Sequence, residues 1–311
     1  MNSDTRAAIL AISIIIPLSA FALWSSDQSK AASLAEVRQM KVLVSFYPLY
    51  EFTKAIGGER IDVSIIVPAG IEPHDWEPTI QDLQKMQDAD MIVINGAGFE
   101  TWLDDFVTSN PNVFIVDTSK GIELLEGSQI HHENEDGERD KSNKDPHIWL
   151  NPVLAKKQVQ NMANGLIELD PENANYYQKN VDVYNLKLDL LDNKIRTELS
   201  TCDKKDFIAF HDAFSYFANE YDLNQYTIVG VDANAEPTAV TLQKIIQNAQ
   251  NLGLHIIYTE ESVNPRISEV IADEIGGQVL VLSPIEIADN NSDYIKKMEQ
   301  NLLNLKEELC S

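Results

Sequence analysis

Basic side chains are in short supply. The 311-residue chain has 24 Lys and Arg against 49 Asp and Glu, a formal net charge of −25. Nucleic-acid binding requires phosphates to be neutralised by Lys and Arg, so this deficit excludes nucleic acid as a partner. A surface this acidic instead draws cations towards it. Cysteine is nearly absent, with only Cys202 and Cys310. Neither has a second cysteine nearby, which excludes a cysteine-based metal site. A disulfide between them is the favoured arrangement and would tie the tail to the second half of the chain; the alternative is two unpaired thiols. No Gly/Ser-rich linker appears, so domains in this chain are joined stiffly. No His-Glu-x-x-His helix appears either, which removes the most recognisable hydrolytic zinc motif.

Long apolar runs are also missing, with one exception. Ala7 to Trp24 is apolar but for Ser13, Pro17 and Ser19, and follows a short polar start with Arg6. This is an export signal or an N-terminal membrane anchor. The run is longer than an ordinary signal core and Ser29-Lys30-Ala31 is a poor cleavage site, which favours the anchor. No cysteine lies at its end, so a lipid-modified cysteine is not expected. Either way, the rest of the chain is expected outside the cytoplasm, anchored to or released from the outer face of the membrane.

Beyond residue 40 short β-rich runs alternate with helical patterns. Val42 to Tyr47, Asp62 to Val67, Asp90 to Asn95 and Val113 to Val116 read as strands of a first half. Phe207 to Phe210, Thr227 to Val231, His255 to Thr259 and Val279 to Leu282 read as strands of a second. Such alternation predicts an α/β fold of two lobes, each a roughly four-stranded, mostly parallel sheet flanked by helices. Between them, Glu172 to Leu199 carries apolar residues at Tyr177, Val181, Tyr184, Leu188, Leu191, Ile195 and Leu199, a continuous helical stripe. At 1.5 Å per residue it spans roughly 40 Å, enough to brace both lobes. The domain boundaries that follow are 1–40 for the signal or anchor with its linker, 41–170, 171–200 for the connecting helix, and 201–311. Thr79 reads as the cap of a helix through Met86, with Asp82 in the capping-box position.

Histidine is rare, with six in the chain, and three of them occupy equivalent places. His74 lies in the loop after the second strand, in Glu72-Pro73-His74-Asp75-Trp76-Glu77-Pro78. His147 is pinned in Asp145-Pro146-His147-Ile148-Trp149-Leu150-Asn151-Pro152. His211 follows the strand Phe207 to Phe210 directly and is expected to open a helix. In open α/β sheets ligands bind beyond the carboxyl ends of the strands, where His74 and His211 sit, one in each half. A metal ion between the lobes could take nitrogen from both. Each histidine alone could equally be a buried ring bonded to a backbone carbonyl. The polar stretch Glu126 to Asp145 contains His131 and His132 followed by acidic residues up to Asp140. It reads as a mobile loop in which this pair collects cations weakly.

These motifs resemble the metal-binding solute receptors of ABC importers, in particular the zinc-uptake substrate-binding proteins. The resemblance rests on Pro68 to Pro78, Asp145 to Pro152, Phe210 to Phe217, Tyr258-Thr259-Glu260-Glu261-Ser262 and Leu282-Ser283-Pro284-Ile285-Glu286. It implies two four-stranded lobes joined by one long helix, with metal in the cleft and His74, His147 and His211 as ligands. It implies Glu286 as the fourth donor, with Glu260 and Glu261 as the next candidates. The implied partner is an ABC permease, the implied cargo Zn(II), and the implied state a monomer. Manganese receptors of this type tend to pair two histidines with two carboxylates. A third histidine favours borderline zinc over hard Mn(II), the alternative ion. The rival functions are a surface adhesin on the same scaffold and, less favoured, a zinc hydrolase, which would need an open coordination position.

Overall fold

The computed structural model describes residues 38–127, 144–231, 233–288 and 292–311. The apolar N-terminal segment and the pair His131 and His132 lie outside the described residues. From Met40 to Ser311 the chain forms one compact unit.

The first half runs β1 (Met40–Val44), α1 (Tyr47–Gly57), β2 (Ile61–Ile65), α2 (Ile80–Gln87), β3 (Met91–Ile94), α3 (Leu103–Ser109) and β4 (Ile115–Asp117). Two helices follow, α4 (Pro152–Leu169) and the long α5 (Ala174–Leu199). The second half runs β5 (Asp206–Ala209), α6 (Ser215–Tyr221), β6 (Asn224–Thr227), α7 (Ala239–Leu252), β7 (Ile256–Thr259), α8 (Arg266–Ile275), β8 (Gln278–Val281) and α9 (Tyr294–Leu309). The strands form two four-stranded sheets of order β2-β1-β3-β4 and β6-β5-β7-β8. Every pairing is parallel, with Val42 opposite both Val63 and Met91, and Ile208 opposite both Tyr226 and Ile257. The two sheets therefore repeat one strand order, and in each the connections reverse direction beside the first strand.

The elements follow from local chemistry. Thr79 and Asp82 form the expected reciprocal capping box at the start of α2. Asn151 caps α4 by accepting from Val153 N and Leu154 N, with Pro152 at the first helical position. Gly253 and Gly276 close α7 and α8 in the left-handed conformation. Helix α5 buries the predicted stripe, Tyr177, Val181, Tyr184, Leu188, Leu191, Ile195 and Leu199. That stripe belongs to one apolar cluster running from Val42, Val93 and Phe52 through α5 to Phe207, Tyr258, Leu302 and Leu305. The core is thus continuous from one sheet to the other, with α5 as its spine. Cys202 and Cys310 are joined in a disulfide, which fastens the end of α9 to the turn after α5.

Two elements differ from the sequence expectation. Strand β6 pairs through Asn224–Thr227 rather than Thr227 to Val231. As an edge strand it tolerates polar residues, whereas Ile228 and Val229 are buried just past it, their N–H groups donating to Ala209 O and Phe210 O. Helix α6 begins at Ser215, so His211 lies in a bend ahead of the helix instead of opening it. Helix α3 begins at Leu103, and the residues between β3 and α3 form a turn in which the Glu100 carboxylate accepts from Asn95 N at 2.7 Å and Gly96 N at 3.0 Å. Gly96 has φ +80°, and a Cβ there would stand 2.0 Å from Asp117 Oδ1, so the turn requires glycine.

Candidate metal centre

Four loops at the carboxyl ends of the strands bring His74, His147, His211 and Glu286 together, with one donor atom from each within 4.8 Å of all the others. His74 follows β2, in a single 3-10 turn at Pro73–Asp75. His211 follows β5, and Glu286 lies five residues beyond the end of β8. His147 comes from the segment between β4 and α4.

That segment is held from both halves of the chain. Asn95 Nδ2 donates to Pro146 O at 2.8 Å, and Tyr216 Oη donates to Asp145 O at 2.8 Å. Trp149 Nε1 donates to Pro284 O at 2.7 Å, while Tyr294 Oη donates to Trp149 O at 2.6 Å. The Trp149 bond fixes His147 against the Glu286 loop. That loop contains Ile285 at φ +63°, a conformation β-branched residues seldom adopt. Ser283 Oγ accepts from Ile285 N, and Asn301 holds Ser283 through both its amide atoms.

The three Nε2 atoms converge. His147 Nε2 is 3.2 Å from His74 Nε2 and 3.1 Å from His211 Nε2. Glu286 Oε1 is 3.6 Å from both His74 Nε2 and His147 Nε2. A tetrahedral ion with bonds of about 2.0–2.1 Å spaces its donors about 3.3 Å apart, so the separations suit one small ion. Both oxygens of Glu286 are buried with no hydrogen-bond partner among the described residues. A buried, unpaired carboxylate is costly unless a cation meets it.

The Nδ1 atoms of His147 and His211 face carboxylates. His147 Nδ1 lies 2.7 Å from Asp145 Oδ1, which also accepts from His147 N at 2.9 Å. His211 Nδ1 lies 2.5 Å from Glu260 Oε1, which also accepts from His211 N at 3.2 Å. Glu260 therefore stands behind His211 instead of among the donors. Glu261 is directed away, to Lys297 Nζ at 3.1 Å. Asp145 and Glu260 were not legible as partners of these rings. The Asp-x-His spacing was a signal for the first, but nothing in sequence ties Glu260 to His211, 49 residues away.

Without a cation the centre holds protons. Burial pushes the Glu286 carboxyl up to about 8, opposed by the nearby His211 and reinforced by Glu260 and Glu261. Burial disfavours charging His211, but Glu260 beside its ring, with Glu286 and Glu72, raises it to about 9. His147 is held neutral, well below the usual range, by burial and by its two histidine neighbours. Burial also lifts Glu72 to about 7 and Asp145 to about 8.

Two like lobes with a donor cluster at facing strand ends, joined by one helix, define a two-lobed solute-binding protein with a candidate metal centre of three imidazoles and a carboxylate. The profile of the ZnuA family, zinc-uptake complex component A, periplasmic, matches residues 42–308, and the chain belongs to that family. It is 39% identical over 293 residues to the high-affinity zinc uptake system protein ZnuA of Bacillus subtilis, covering 91% of this chain and 92% of that protein. A crystal structure of ZnuA superposes with a TM-score of 0.78 at 31% identity, covering 88% of this chain and all (100%) of the other. The laminin-binding protein Lmb of Streptococcus agalactiae, described as bifunctional with adhesin and metal transporting activity, has the same TM-score of 0.78 at 31% identity, again with 88% and 100% covered.

Proposed function

We propose that the chain is an extracytoplasmic receptor that captures Zn(II) with His74, His147, His211 and Glu286 and delivers it to an ABC permease for uptake. The observation that carries this reading is the meeting of three Nε2 atoms with a buried carboxylate that has no other partner. Family membership and a zinc-uptake relative at 39% identity support it. Three imidazoles and one carboxylate suit borderline zinc better than Mn(II), which prefers oxygen. Four protein donors complete a tetrahedral ion and leave no position open for the activated water that a hydrolase needs, so the role is transport and not catalysis. The lobes are 41–170 and 201–311, joined by the helix of 171–200. The segment 1–40 directs export or anchors the receptor, which acts as a monomer.

In capture, neutral His147 offers its lone pair at once, while His211 and Glu286 surrender protons as the ion arrives. His74 is the most exposed donor, its side chain 12% accessible against 0% for His147 and 1% for Glu286, so the ion reaches the cluster on the His74 side. The test is metal content of the full chain purified without added metal, followed by competitive titration with zinc and manganese. One tight zinc per chain is expected, weakened at least about a hundredfold in His74→Ala, His147→Ala or His211→Ala, each of which deletes a direct donor. Preference for manganese, or wild-type zinc affinity in all three variants, refutes the assignment.

A further inference from the structure

The same small device occurs twice, once in each lobe. At His147 and again at His211, one carboxylate oxygen receives both the ring Nδ1 and the backbone N–H of the same histidine. The carboxylates come from unrelated places, Asp145 two residues before its histidine and Glu260 at the end of β7. Both residues are buried, Asp145 at 0% and Glu260 at 4% exposure. The second oxygen of Glu260 has no hydrogen-bond partner among the described residues, so the contact with His211 accounts for the burial of this acid. The two rings held in this way meet at their Nε2 atoms, 3.1 Å apart.

We infer that Asp145 and Glu260 are positioning residues that hold the Nδ1 proton and the direction of the His147 and His211 rings, so that both Nε2 atoms are aimed at the ion's place before it arrives. The inference rests on the zinc-receptor reading. A neutral imidazole has one donor nitrogen and one acceptor nitrogen. An acceptor fixed at Nδ1 places the proton there and leaves Nε2 free to bind metal. Because the same oxygen also receives a backbone N–H, which can only donate, that oxygen is held in place as an acceptor opposite Nδ1, and turning the ring over would break the ring's bond to it. The two lobes thus supply two nitrogens already aimed at the ion, His147 as a neutral ring and His211 once its Nε2 proton leaves.

The backbone N–H also makes the test sharp. In Asp145→Asn or Glu260→Gln it would orient the amide with its oxygen inward, still able to accept from Nδ1–H. The full chain and its Asn, Gln and Ala variants are titrated with zinc, and the absorption of the Co(II)-loaded forms is recorded in the visible range. Expected for Asp145→Asn and Glu260→Gln is one tight zinc and the intense absorption of four-coordinate cobalt. Expected for Asp145→Ala and Glu260→Ala is about 10–100-fold weaker zinc and a weakened cobalt band. If Asp145→Ala fails to fold, the two Glu260 variants decide the matter alone. Alanine variants that bind like wild type overturn the positioning role. Amide variants that fall as far as alanine show that charge, not orientation, is what the carboxylates supply, and overturn it too. Absence of tight zinc in the unsubstituted chain overturns the receptor reading itself, which the same titration shows separately.

Discussion

Zinc binding at neutral pH should expel protons, and their number follows from the centre. His211 is raised to about 9 and Glu286 to about 8, so at pH 7 the metal-free protein carries a proton on each. The ion cannot bind either group in that state, whereas His147 is already neutral. About two protons should therefore leave per zinc near pH 7. Asp145 at about 8 and Glu72 at about 7 add to that number in so far as the ion's charge ionises them. Each proton released steepens the pH dependence of the affinity by about tenfold per unit, so two give about a hundredfold gain from pH 6 to 7. The gain should fade as pH passes through about 8 and then 9 and the groups empty unaided. The signs for stability run the other way. Both groups titrate higher in the folded metal-free chain than when unfolded, so their contribution is present in full below their unfolded values. It is lost as pH rises through the folded values. Metal-free melting temperature should fall between about pH 5 and 9, and the stabilisation by zinc should grow across the same window. Titration calorimetry in buffers of differing ionisation enthalpy counts the protons directly. A release of less than one proton per zinc at pH 7 refutes the charge assignment.

Two further predictions concern the frame. Replacing Cys202 and Cys310 together by Ser opens a cross-link spanning 108 residues and should lower stability by about 2–5 kcal/mol, read by denaturant unfolding of reduced and oxidised chains. The zinc centre should survive it, because neither cysteine touches the cluster. Leu188→Ala, at a fully buried position on α5 within the shared core, should cost about 2–5 kcal/mol. Because the cluster spans both sheets, that loss should appear in one unfolding transition and not in a separate transition for each lobe.

The fold was readable because the sheets are parallel and covered on both faces, which writes each central strand as an apolar run. Strands β1, β3, β5 and β7 are such runs, and the stripe on α5 has a helical period that nothing else imitates. Edge strand β6 was misplaced by three residues because its pairing residues, Asn224 and Gln225, are polar, while the apolar Ile228 and Val229 beyond it mimic a strand. The bend at His211 was invisible because its bonds are tertiary, with Asp212 N donating to Gly230 O. In the centre, the three histidines stood out by rarity and by their places at strand ends, and Glu286 through the resemblance. Glu260 could be seen as an acid near the site but not as the partner of His211, since that contact exists only after β5 and β7 pair.

The continuous apolar spine along α5 also limits how the receptor can announce that it is loaded. A hinge needs a weak seam, and here the seam between the lobes is filled by Tyr184, Leu188 and Leu191, each buried. Swinging the lobes apart like jaws would expose that grease to water, at a cost of about 25 cal/mol for each Å² uncovered. Any difference between the loaded and the empty receptor should therefore lie at the rim, in the His74 turn and the Ile285 turn beside the centre. A permease reading this surface would therefore distinguish full from empty by the shape and charge of a few loop residues, in the way a lock senses a key's teeth while its shaft stays rigid.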